Sequence, residues 1–133
     1  IFTKQGEGNV VTVSSVSAVT GCGAAVYTAT KGALISMTRH IALRYAVKRP
    51  LVRANCVCPG SVWTDMTRAE LAAQEAGYEP MSQEFNDAVA QHSCAGVGIS
   101  KTVDIANVLL FLASDESACV NGQVLTLDYG CNL

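Results

Sequence analysis

The hydrophobic pattern changes period along the chain. In order it reads as a strand, a long helix, a strand, a helical insert, a helix and a strand. Val10-Val11-Thr12-Val13 is a short β-branched run that reads as a buried strand ending at Ser14 and Ser15. Ahead of it, Ile1 to Gly6 reads as the last turn of a helix stopped by a glycine. From about Val26 to Val47, Leu34, Met37, Ile41 and Tyr45 form one apolar stripe at helical spacing, while Ala29, Ala33 and Ser36 supply small residues on another side. Such a helix is apolar on more than one face. One face is expected to pack on a sheet and the other to meet the same helix of a second subunit. Pro50 closes this region, and Leu51 to Cys58 follows as a second buried strand ended by Pro59-Gly60. A strand, helix and strand in succession form a parallel pair with a right-handed crossover, which puts Ser15 and Pro59 on the same edge of the sheet.

The segment Ser61 to Met66 leaves that edge, and its Thr64 either bonds a phosphate or caps the helix that follows. Two short helices are expected next, Arg68 to Ala76 stopped by Gly77 and Gln83 to Gln91 starting from a Ser82 cap, with Phe85 and Val89 on one side. This insert, about 67–92, hangs over the ligand edge as a lid or as a solvated hairpin. After a loop containing Gly96 and Gly98, Thr102 is expected to cap a helix whose Ala106, Leu109, Leu110 and Ala113 face inward. Asn121-Gly122 then turns the chain into a last strand, Val124 to Asp128. No internal repeat interrupts this order. The expected class is α/β, a three-layer Rossmann-like parallel sheet of about three strands with flanking helices.

Of the 133 residues, 50% are hydrophobic and 15% charged, the balance of a globular domain with a real core. A net charge of −2 without any Lys/Arg cluster argues against a nucleic-acid or anionic-membrane partner. No apolar run approaches the roughly 18 residues of a membrane span. Ile1 to Gly8 has no signal-peptide layout, so a soluble, cytoplasmic protein is expected. The cysteines Cys22, Cys56, Cys58, Cys94, Cys119 and Cys131 have no regular spacing and read as unpaired. Cys56 and Cys58 share one face of a strand as small apolar residues. A zinc set of Cys56, Cys58, His92 and Cys94 lacks any paired Cys-x-x-Cys, and no metal is expected.

Tyr27 and Lys31 carry the most pointed chemistry. Four residues apart on a helix, they lie one turn from each other on one face, with the ammonium near the phenol ring. A free tyrosine has a pKa of about 10, and an adjacent cation lowers that value toward the working range of a general acid or base. Ser15, at the carboxyl end of the first strand, sits where open parallel sheets bind ligands, although a serine there is also an ordinary turn residue. His40 and His92 read as surface residues. Glu70, Glu75, Glu84 and Asp87 suit solvent-facing positions on the insert, and Asp128 ends the last strand.

These features resemble the C-terminal half of a short-chain dehydrogenase/reductase. The resemblance rests on the Val13-Ser14-Ser15 strand end and on Tyr27-x-x-x-Lys31. It also rests on Asn55-x-Val57-x-Pro59-Gly60-x-Val62-x-Thr64-x-Met66, and on Phe111-Leu112-Ala113-Ser114-Asp115 before Asn121-Gly122-Gln123. It implies that residues 1–133 are the C-terminal part of one Rossmann-type domain, with the N-terminal cofactor-binding half absent. It further implies an NAD- or NADP-dependent interconversion of an alcohol and a carbonyl. Tyr27 would be the acid/base and would also contact the cofactor, and Lys31 would assist it and bond the nicotinamide ribose. Ser15 would donate to the substrate oxygen, and Pro59, Gly60, Val62 and Thr64 would line the cofactor. The 27–47 helix would join subunits of a homo-oligomer.

The sequence departs from the family in several places. No Gly-x-x-x-Gly-x-Gly turn is present among these residues to lay a pyrophosphate on a helix, and the family's helical Asn falls before Ile1. Asp128-Tyr129-Gly130 stands where the family has Asp-Gly-Gly, and Lys101-Thr102-Val103-Asp104 replaces a proline-acidic helix start. A non-catalytic half-fold acting as an interaction or oligomerisation module is the alternative, because an exposed sheet edge invites pairing.

Overall fold

The computed structural model describes residues 2–47, 52–78, 81–92 and 99–131. The expectations for Ile1, Pro50, Leu51, Cys94 and the Gly96 and Gly98 loop lie outside the described residues. Helix α1 (Phe2–Gln5) ends at Gly6, whose φ of 84° supplies the left-handed stop, and β1 (Gly8–Val13) follows. A short helix α2 (Ser17–Thr20) and the long α3 (Ala25–Ala46) lead to β2 (Val52–Pro59). Helices α4 (Asp65–Glu75) and α5 (Gln83–His92) form the insert, and α6 (Thr102–Ala113) with a single 3₁₀ turn (Asp115–Ser117) precedes β3 (Val124–Leu127).

The sheet is parallel in the order β1-β2-β3. Gly8 lies opposite Val52 and Val13 opposite Val57, while Cys56 lies opposite Val124 and Pro59 opposite Leu127. β2 is central, and Val52 to Cys58 are all buried, the polar Arg53 and Asn55 included, as a strand covered on both faces requires. β1 differs from the buried strand expected of it. Its residues are half-buried and Val13 is exposed, because among the described residues only β2 pairs with it.

The two faces of the sheet are covered by different helices. Thr12 and Thr38 share a hydroxyl hydrogen bond of 2.7 Å, which places α3 over the face that carries Ala54, Cys56 and Cys58. On the opposite face Asn9 donates to the Leu112 carbonyl, and Arg53 reaches the end of α6. These contacts give the layered α/β architecture that the periodicity predicts.

The helix faces differ from expectation in detail. The fully buried positions of α3 are Thr38 and Ala42, with Leu34, Ile41 and Tyr45 flanking them and Met37 half-exposed. Small residues let the helix backbone approach the strands, so the large side chains of the predicted stripe sit beside the contact line. In α6 the inward row is Ile105, Val108, Leu109 and Leu112, whereas Leu110 is 69% exposed and Ala106 and Ala113 face outward. A helix that is apolar almost all round carries more than one such row, and periodicity alone does not choose between them.

Two starts also shift. Helix α4 begins at Asp65 instead of Arg68, because the Thr64 hydroxyl accepts from Thr67 N–H at 3.4 Å and caps it there. Thr102 is the first helical residue of α6 and not its cap. Lys101 occupies the cap position and has no side-chain acceptor, so its own N–H donates to Asp104 Oδ2 at 2.9 Å. Ser82 caps α5 as expected, accepting from Phe85 N–H at 3.2 Å, and Gly77 ends the α4 region with φ 82°.

Candidate functional site

The carboxyl ends of β1 and β2 stay paired beyond the strands. Ser14 N–H donates to Val57 O at 2.8 Å and Val16 N–H to Pro59 O at 2.9 Å, so Ser15 and Pro59 lie on one edge, as the crossover argument requires. Two glycines, Gly21 and Gly23, separate α2 from α3, and α3 then runs back along the sheet with Tyr27 and Lys31 in its first turns.

Lys31 is fixed from two directions. Its carbonyl accepts from the Ser14 hydroxyl at 2.7 Å, and its Nζ donates to Val13 O at 3.0 Å. That ammonium lies 5.6 Å from the centroid of the Tyr27 ring, within cation–π range. Tyr27 itself is 39% exposed. The Ser15 hydroxyl accepts from Ser17 N–H at 3.2 Å, which uses one lone pair and leaves its proton to donate elsewhere. No hydrogen bond joins Ser15 to Tyr27 in the described structure; they share the sheet edge. Beneath them Cys58 is buried. Burial, and then the neighbouring Cys56, push its thiol up from the usual range, while the nearby Ser14 side chain and Ser15 backbone partly offset this. A thiol so placed stays neutral and packs, as expected of a small apolar residue.

The second half of the edge is the segment from Pro59 to Thr64. Gly60 N–H donates to Leu127 O at 3.0 Å, and a Cβ on Gly60 would stand 2.9 Å from the Asp128 Cβ, so the close approach requires glycine. Val62 forms an isolated parallel bridge with Ser100. Ser100 N–H donates to Ser61 O and Trp63 N–H to Ser100 O, both at 2.9 Å, and the Thr67 hydroxyl donates to Val62 O at 2.6 Å. Of the two roles expected for Thr64, the capping one is occupied.

Sequence reasoning brought Tyr27 and Lys31 together correctly and missed the residues that hold them. Ser14 is buried and anchors Lys31, and Ser100 is buried and anchors the segment from Ser61 to Trp63; both are serines whose partners are remote in sequence. Helix α2, which Ser15 initiates, was also not legible. Among the described residues no group of three or more His, Cys, Asp or Glu side chains converges as a metal site, and no helix is long and apolar enough to cross a membrane.

A family model described as enoyl-(acyl carrier protein) reductase matches residues 1–132. A short chain dehydrogenase of Aspergillus terreus is 38% identical over 133 residues, covering 96% of this chain and 55% of the relative. The crystal structure of levodione reductase superposes with a TM-score of 0.78 at 28% identity, covering 98% of this chain and 48% of the other. The structure of ElxO with NADP bound gives 0.73 at 27% identity, covering 97% and 48%. The chain thus spans about half the length of the relatives it matches.

Proposed function

The chain belongs to the short-chain dehydrogenase/reductase family, and on that premise we propose that it carries the catalytic half of an NAD- or NADP-dependent enzyme that interconverts an alcohol and a carbonyl. The observation that carries this reading is the Lys31 ammonium, pinned to the end of β1 and 5.6 Å from the centre of the half-exposed Tyr27 ring. In the proposed mechanism Tyr27 gives a proton to the substrate oxygen in reduction and takes it back in oxidation. Lys31 stabilises negative charge as it develops on the phenol oxygen, and the Ser15 hydroxyl donates to the same substrate oxygen. The nicotinamide supplies or accepts the hydride when bound.

The residues present suit one end of that cofactor. Lys31 offers ribose-directed donors, and the segment Pro59, Gly60, Val62 and Thr64 offers a backbone held on both sides by β3 and Ser100. The pyrophosphate end is different: no glycine-rich turn lies within these 133 residues, so another stretch or another chain must provide it. The open edge of β1 is the place where such a half would add its strand. The insert of α4 and α5 would cover the substrate, with Trp63 and Met66 exposed toward solvent at its root. At the two ends of α3, Val26, Leu43 and the C-cap Val47 are 81%, 77% and 88% exposed, apolar positions suited to contact with a second copy. Those positions and the β1 edge also favour the second reading, a non-catalytic pairing module.

Turnover separates the two. With the half that carries the glycine-rich turn supplied, NAD or NADP and a panel of secondary alcohols, nicotinamide absorbance is expected to report hydride transfer. Ser15→Ala should lower kcat by about 10²-fold with cofactor affinity unchanged, the scale for one donor at a developing oxyanion. Stable assembly without turnover on any alcohol or ketone of the panel, with that half supplied, would favour the pairing module.

A further inference from the structure

We propose that Tyr129 is a positioning residue that holds the Pro59–Thr64 segment in register, a role that rests on that segment lining the nicotinamide end of the cofactor. Tyr129 has φ 55°, and among the described residues it is the one non-glycine with positive φ. A side chain is strained there, and glycine would adopt the same backbone freely. The structure shows what the tyrosine adds. Its hydroxyl donates to Asp104 Oδ2 at 3.0 Å, the same oxygen that accepts from Lys101 N–H at the start of α6. The hydrogen bond to Asp104 and the charge of that carboxylate push the phenol up from its ordinary range, and the Ser100 side chain offsets part of this.

Tyr129 therefore meets both supports of the segment. Through its neighbour Asp128 it adjoins the seat of Gly60, and through Asp104 it reaches the Lys101 amide, next in the chain to Ser100, whose main chain pairs with Ser61 and Trp63. Apolar packing does not fix this corner by itself. A cleft of about 320 Å³ opens between α6 and β3, lined by Ile105, Val108 and Leu127 together with Ser100, Asp104 and Tyr129. The polar tie spans that cleft, so the start of α6 and the end of β3 move as one with the segment between them.

Two variants test this. In Tyr129→Phe, hydrogen exchange at the Trp63 amide, which bonds Ser100 O, is expected to accelerate about threefold and the Kd for NADH to rise by a similar factor, the scale for one exposed hydrogen bond. In Tyr129→Gly both changes should recur while the melting temperature rises, because the backbone strain is relieved. A purely structural role would instead move melting and affinity in the same direction. Unchanged Trp63 exchange in Tyr129→Phe would refute the tie. Faster exchange with unchanged NADH affinity would refute the positioning role. Failure of the unsubstituted protein to bind NADH or NADPH would bring down the cofactor reading and this role with it, and Trp63 exchange would then register only the tie.

Discussion

Tyr27→Phe is expected to lower kcat by about 10³-fold, the middle of the range for a positioned general acid or base, while leaving the melting temperature within about 2 °C of the parent. The reasoning is geometric. The ring lies against the Lys31 ammonium and keeps that contact as phenylalanine, because the contact is with the ring face and not with the oxygen. Lys31 keeps both of its anchors, its carbonyl on Ser14 and its Nζ on Val13 O, so the edge of the sheet is undisturbed. Only the proton-carrying atom is lost. Because Tyr27 sits at a sheet edge and not in the core, folding has little stake in that oxygen. Cofactor affinity should change by less than threefold, since the proposed ribose donors belong to Lys31. A Tyr27→Phe protein with kcat within threefold of the parent would remove Tyr27 from the acid/base role.

Arg53→Ala is expected to be the most damaging single change to the fold, at about 3 kcal/mol measured by denaturant unfolding. Arg53 is buried on the central strand, and its guanidinium donates to Ser114 O and Ser117 Oγ at 2.9 Å, to Val120 O at 3.3 Å and to Leu112 O at 3.4 Å. No carboxylate is among these partners. The compensating charge is the partial negative end of α6, whose last carbonyls the fork collects. Removal takes the charged donor from these acceptors, which keep only Asn9, Ser117 and Asn55 as partners, and leaves a cavity, each a cost of about 1–3 kcal/mol before water or relaxation offsets part of it. The same loop is tied to β2 by Asn55, which donates to Val120 O at 2.8 Å and accepts from Gln123 N–H at 3.0 Å. Asn121 adds a third tie, accepting from Ala54 N–H at 2.9 Å. Arg53→Lys should recover about half of the loss, because an ammonium keeps the charge but cannot span the fork. A loss below about 1 kcal/mol in Arg53→Ala would mean that the loop is held by its asparagines alone.

The order of elements was legible because each carries its own local signal. Val10 to Val13 and the run ending at Cys58 are strands rich in β-branched or apolar residues, Gly6 and Gly77 mark helix stops by positive φ, and Ser82 caps as its spacing suggests. The Tyr27–Lys31 pair was equally legible, since a helix turns four residues into neighbours. What the sequence hid depends on partners far along the chain. Ser14 reads only as a strand end and Ser100 carries no local signal until the Lys31 carbonyl and the Ser61–Trp63 backbone are set against them. Arg53, which a buried strand should exclude, is accommodated by carbonyls about sixty residues later, a count set by the Ser114 partner. The inward row of α6 was misassigned because Leu109, Leu110 and Leu112 are equivalent to a hydropathy pattern, and only the sheet distinguishes them.

The central claim is that this chain holds the nicotinamide end of a dinucleotide, and Trp63, the single tryptophan of these 133 residues, lies in the segment assigned to it. The most direct measurement titrates reduced nicotinamide mononucleotide, which has no adenosine half and makes no demand on a glycine-rich turn, and follows energy transfer from Trp63. The account predicts saturable quenching with sensitised nicotinamide emission, and none with adenosine monophosphate. A folded sample whose Trp63 emission is indifferent to reduced nicotinamide mononucleotide, NADH and NADPH would contradict it.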